Sequence, residues 1–256
     1  MTRIISFVFS LIIFCAALSA QNLTMHDRNV AIIISDSLRS ERSPDGYPYV
    51  QLDYEYPVFN VNNPDLNGAR LNEFIRLNMT DIGRYDTMFM EMEQMNLEMR
   101  QSGEMFGGEF WDYFYSATGY FNNDSYLTLM FSEGGYMGGA HGNYTSVTCH
   151  LNPQTGEQYT LESFFGEEGL AQLLEIGEKL FREHEGLDPE VPLSESGYWF
   201  ADDQFHLGEN YTFDMNGMNI AYNHYEIAPY SAGVITFTIP ADQIKGLFLE
   251  SSPFRY

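Results

Sequence analysis

Nine consecutive residues, Gly134–Gly142, read Gly-Gly-Tyr-Met-Gly-Gly-Ala-His-Gly, and apolar, strand-like runs flank them on both sides. Glycine accepts positive φ and lets a second backbone approach closely. A stretch this rich in glycine, set between strands, has to be a tight bend or a point of close contact. Tyr225–Gly233, read Tyr-Glu-Ile-Ala-Pro-Tyr-Ser-Ala-Gly, has the same character some ninety residues later. These two stretches are the expected ligand-facing loops.

The hydrophobic pattern around them alternates more than it turns. Val30–Leu38 and Tyr47–Val61 read as extended, separated by the turn Ser43-Pro44-Asp45-Gly46, and Pro48 and Pro57 place the second run at a sheet edge. From about Asn67 to Gln101 the spacing of Leu71, Ile75, Ile82, Tyr85, Phe89, Met92 and Met99 is helical, with Gly83 as the point where that long helix breaks or bends. Phe110–Tyr120, Ser125–Phe131 and Asn143–Leu151 return to strand character. Leu161–Phe165 is one helical turn, and Gly169–His184 is a second amphipathic helix. Tyr198–Leu207, Tyr211–Asp214, Met218–His224 and Val234–Ile239 read as further strands. The expected class is α+β with mostly antiparallel sheet: one long helix in an N-terminal unit and one amphipathic helix in a larger C-terminal unit. The expected division is 1–20 as an export signal, 21–105 as the N-terminal unit and 106–256 as the C-terminal unit.

The export reading rests on Arg3, the apolar run Ile4–Leu18 and the small residues Ala16, Ala17, Ser19 and Ala20. Cleavage after Ala20 or after Ser19 fits, and the run is short for a membrane span of roughly 20 residues. A periplasmic or secreted protein without a membrane span is expected. Loss of residues 1–20 removes Arg3 and no acid, moving the formal charge from −24 to −25. Such a surface repels nucleic acid and anionic lipid and attracts basic partners. It also serves solubility alone. Of the 2 cysteines, only Cys149 follows the signal, so no internal disulfide forms in that mature chain.

Two runs carry a resemblance to a known family. Tyr136-Met137-Gly138-Gly139-Ala140-His141-Gly142-Asn143, followed by Leu151-Asn152-Pro153-Gln154-Thr155-Gly156-Glu157, resembles the RsiV/PdaC-type C-terminal domain. Tyr225–Gly233 followed by Ile239-Pro240 is similar to its second signature. Leu52-Asp53-Tyr54-Glu55-Tyr56-Pro57-Val58 with the long helix resembles the family's N-terminal partner domain. The resemblance implies an envelope-exposed binding module: one member is a lysozyme-binding anti-sigma factor, and another sits beside a peptidoglycan deacetylase domain. This chain shows neither a cytoplasmic sigma-binding segment nor a separate deacetylase domain. Recognition of a lysozyme-like muramidase, or of wall glycan, is what the resemblance leaves.

The candidate partner-binding residues are Tyr136, Gly138, Gly139, His141, Glu226, Pro229 and Tyr230. His141 serves the bend structurally or touches ligand; as a catalytic base it would need a carboxylate beside it. Pro229 stiffens its loop and Tyr230 offers a rigid face with a polar tip, or folds onto the core as part of a plain turn. Met88, Met90, Met92, Met95 and Met99 do not share one helical face and read as packing rather than Cu(I) ligands. The aromatic run Phe110–Tyr115 reads as strand core or a sugar-stacking surface, and the acid pairs Asp202-Asp203 and Glu109-x-x-Asp112 as chance in an acidic chain. Cys149 is expected as an inert buried thiol. No catalytic residue, metal or cofactor is expected, with a hydrolase using His141 as the enzymatic alternative.

Overall fold

The computed structural model describes Met25, Asp27 and residues 29–79, 82–105 and 108–256. The proposed export signal lies outside them. Two sheets organise the chain, each closing its own hydrophobic core.

The first sheet has six strands in chain order: β1 Ala31–Arg39, β2 Val50–Phe59, β3 Trp111–Asn123, β4 Tyr126–Tyr136, β5 Asn143–Leu151 and the short β6 Gln158–Tyr159. All neighbours are antiparallel except β2 and β3, which run parallel with Val50 opposite Trp111. Parallel neighbours need a long crossover. Here it holds two helices, α1 Gly68–Asn78 and α2 Tyr85–Ser102. The helical stretch expected over 67–101 is therefore divided, and the reason is local: Gly83 adopts φ 87. Asn67 starts α1 by accepting the Arg70 N–H at 3.2 Å. Leu71, Ile75, Tyr85 and Met92 lie in one core with Val50, Leu52, Trp111, Leu129 and Cys149. Met90 and Met95 stand exposed instead, so only part of the methionine cluster is core.

β2 is internal where it pairs with β3, from Val50 to Glu55. Pro57 lies beyond that pairing, opposite Ile33 of β1 alone, where a missing N–H on the other side costs no ladder bond. The edge position expected from proline thus holds only for the end of the strand. The sheet also runs continuously through strands on both sides of position 105.

The second sheet is a three-stranded meander of β7 Asn210–Asp214, β8 Gly217–Tyr222 and β9 Ile235–Pro240, all antiparallel. Its core packs Phe164, Leu173 and Phe181 of α3 (Leu161–Glu185) with Ile220, Phe237 and Ile239. The α3 backbone kinks at Gly166 (φ 65, ψ 178), which separates the predicted short turn from the predicted helix. A short helix, α4 Ala241–Ile244, follows β9. Tyr198–Leu207, expected as a strand, has no strand partner. Asp202 and Asp203 take positive φ, a 3₁₀ turn spans Ala201–Asp203, and Phe200 and Leu207 enter the core from an irregular segment.

The two sheets meet at β5. Cys149 and Leu151 belong to the first core, whereas the ring of His150 packs against Tyr211 of β7 at 4.3 Å between centroids. The β5 edge is completed by side chains. The Ser146 N–H donates to Asn223 Oδ1 at 3.0 Å, and Asn223 Nδ2 donates back to the Ser146 carbonyl at 2.9 Å. The Thr148 N–H donates to Asn210 Oδ1 at 2.8 Å. Asn223 therefore stands in for one residue of a neighbouring strand. This lateral pairing holds the loop after β8 against the edge of β5.

Candidate functional site

The glycine bend connects β4 to β5. Gly138 and Gly139 both take φ 90, which a side chain rarely tolerates. The Tyr136 hydroxyl fixes the bend from below: it donates to the Gly139 carbonyl at 2.9 Å and accepts the Gly108 N–H at 3.0 Å. His141 is exposed at the tip. Its Nδ1 lies 2.9 Å from the Gly142 carbonyl, so Nδ1 carries the proton, and its Nε2 lies 3.5 Å from the Tyr225 hydroxyl. A carbonyl and a phenol are the neighbours of these two nitrogens.

The second loop starts with a reverse turn over Asn223–Glu226. The Glu226 N–H donates to the Asn223 carbonyl at 3.1 Å, and the Asn223 N–H donates to Glu226 Oε2 at 2.7 Å. The Glu226 carboxylate is engaged in holding this turn. Ile227 and Ala228 are buried in the second core, and Ile227 accepts the Trp199 N–H at 2.8 Å. Pro229 is exposed and opens a 3₁₀ turn over Tyr230–Ala232 that ends at Gly233 (φ 77).

The two loops touch through Tyr230. Its ring stacks with His141 at 3.6 Å between centroids and 14° between planes, and with His224 at 4.5 Å and 23°. Tyr225 lies 5.5 Å from Tyr230 and 6.4 Å from His141. Burial, and then the charges of Asp112 and Tyr230, push the Tyr144 phenol above its ordinary range. Burial and then Asp53 raise the Asp112 carboxyl in turn.

Six of the seven predicted residues therefore lie on two adjoining loops and Tyr136 ends β4 beneath the first, but their parts differ. Tyr136, Gly138, Gly139 and Glu226 shape the backbone. Tyr230 joins the loops, His141 is both its stacking partner and a surface group, and Pro229 faces solvent. Sequence reasoning left out Asn223, His224, Tyr225 and Trp199. Asn223 and His224 sit where the pattern reads as strand, and the side-chain pairing of Asn223 leaves no mark in periodicity. Among the described residues, no group of three or more His, Cys, Asp or Glu is placed to hold a metal ion. No helix among them is long and apolar enough to cross a membrane.

Two sheets, each with its own core and joined at β5, define a two-module α+β protein. Residues 46–144 match the family described as Deacetylase PdaC, and residues 162–242 match Protein of unknown function (DUF3298). Two separate segments of the chain thus resemble PdaC- and DUF3298-type domains. The glycine bend falls in the first match and the Tyr225–Gly233 loop in the second, so the stacked rings bridge the two. Among solved structures, a DUF3298 family member from Bacteroides fragilis shares the fold at TM-score 0.57 and 17% identity, over 87% of this chain and 96% of that one. A DUF3298 family protein from Pseudomonas aeruginosa does so at TM-score 0.57 and 14% identity, over 89% and 97%. No curated protein matches the chain.

Proposed function

We propose that this chain is an exported, non-enzymatic binding protein of the cell envelope. The paired loops grip a basic protein such as a lysozyme-like muramidase. The observation that carries this reading is the 3.6 Å stack of His141 on Tyr230. It ties two glycine- and proline-stiffened tips into one preformed surface, and preformed surfaces lose little entropy on binding. The formal charge of −24 supports the choice of a cationic partner, because complementary charge steers encounter and is screened by salt. Calorimetric titration with lysozyme at low and moderate salt is the test. Binding at low salt that weakens with salt is the expected result, and no binding at either overturns the reading.

A second reading, binding to wall glycan, is favoured by one observation. Phe114 and Tyr144 stack at 6.3 Å on the face of the first sheet that also carries Asp112 and Ser116. Flat rings beside polar groups suit pyranose faces. Co-sedimentation with purified peptidoglycan tests it, and a protein that stays in the supernatant excludes it.

A further inference from the structure

Tyr225 occupies a backbone position that favours another residue. It is the third residue of the Asn223–Glu226 turn and takes φ 64. Turns with positive φ there prefer glycine or asparagine, because a bulky side chain in the left-handed region is strained. The other non-glycine residues with positive φ, Asp202 and Asp203, are of a type that tolerates it. Strain of this kind persists where surrounding packing enforces it or where function selects it. Packing is a weak explanation here, since Tyr225 is 51% exposed. Its nearest ring partners, Tyr230 and His141, belong to the loop contact itself. Trp199 is 52% exposed and its N–H is bonded to Ile227, two residues on from Tyr225. Met137, in the glycine bend, is 47% exposed.

We infer that Tyr225 is the partner-contacting anchor of the two-loop surface, held in a strained turn so that its ring, with His141, receives an arginine or lysine side chain of a cationic protein. Tyr230, Pro229 and Glu226 are then positioning residues. This rests on the reading of the loops as a partner-binding surface. Three features fit the assignment. Tyrosine and tryptophan lose few rotamers when they bind, and their faces attract guanidinium and ammonium groups. The acidic chain brings such groups to the surface. Strain at a residue that stays half exposed while it also meets His141 and Tyr230 fits a contact residue at the rim of the loop junction.

The test uses the full chain and two variants, Tyr225→Asn and Tyr225→Phe, with thermal unfolding and calorimetric titration of lysozyme at low salt. Tyr225→Asn is expected to raise the unfolding midpoint by about 3 °C, because asparagine relieves the strain, and to weaken lysozyme binding about tenfold or more. Tyr225→Phe keeps the ring and the strain, and is expected to match the parent in midpoint and to bind within about threefold. A Tyr225→Asn midpoint that stays put or falls overturns the inference, as does unchanged lysozyme binding. If Tyr225→Asn spares lysozyme but loses a soluble chitooligosaccharide, the anchor serves glycan and the inference also fails. A parent chain that binds no lysozyme removes the two-loop reading itself and the inference with it, an outcome distinct from parent binding that Tyr225→Asn leaves intact.

Discussion

His150 makes the junction of the two sheets sensitive to acid. The side chain is 1% exposed, among Tyr126, Tyr211, Phe164 and Phe213. Nδ1 lies 2.8 Å from the Tyr126 hydroxyl and 3.3 Å from Thr128 Oγ1, and Nε2 has no hydrogen-bond partner among the described residues. Burial pushes the imidazole down to about 4 from an ordinary 6.5, opposed only in part by the Tyr211 main chain. The unfolded chain takes up the proton near 6.5 and the native chain not until about 4, so acid favours the unfolded state between these values. Above pH 6.5 the group contributes no pH dependence. As pH falls through the window, stability drops by about 1.4 kcal/mol per unit, reaching about 3 kcal/mol at the lower end. The perturbation is His150→Gln, which keeps a polar group toward Tyr126 and cannot take up a proton. Urea unfolding of both chains at pH 7.5, 6, 5 and 4.5 is the assay, because carboxylate contributions common to both cancel in the difference. The parent is expected to lose stability relative to the variant as pH falls below 6.5. A difference that stays constant across the series refutes the reasoning.

Other outcomes follow from single residues. Gly135→Ala places a Cβ on the Asp112 carbonyl, with the Tyr113 Cα at 2.6 Å, so a loss of about 3 kcal/mol or failure to fold is expected in urea unfolding. Asn223→Leu removes both bonds to the Ser146 main chain and leaves its N–H and carbonyl unpaired, costing about 2–3 kcal/mol, with faster amide exchange at Ser146 as the local readout. The Cys149 thiol is 4% exposed and burial raises it to about 11, so in Ellman's reagent at pH 8 it reacts only as fast as the chain opens. Prompt reaction in the native protein contradicts that placement.

The fold is legible wherever a local rule decides it. Asn143–Leu151 reads as a strand with the bounds it adopts, the α3 kink follows from Gly166, and the switch of period near Asn67 marks the helical layer. What stays hidden depends on distant partners. Nothing near Val50 announces a parallel neighbour sixty residues on at Trp111. The apolar residues of Tyr198–Leu207 mimic a strand because a buried irregular segment also points Phe200 and Leu207 inward. At the site, the glycines and Pro229 mark both loops in sequence. Their contact through Tyr230 depends on the β4–β5 bend meeting a turn fixed by Asn223. Tyr225 opens the second of those stretches, but its strain exists only once the turn has formed.

The asparagine pairing along β5 has a consequence for how the chain is made. Synthesis proceeds from the N-terminus, so β5 emerges from the ribosome some sixty residues before Asn210 and some seventy before Asn223. Throughout that interval the nascent sheet presents an open rim at Ser146 and Thr148, the kind of template on which stray strands from other chains assemble. Once the second sheet has formed, its two asparagines occupy that rim and leave no room for such pairing.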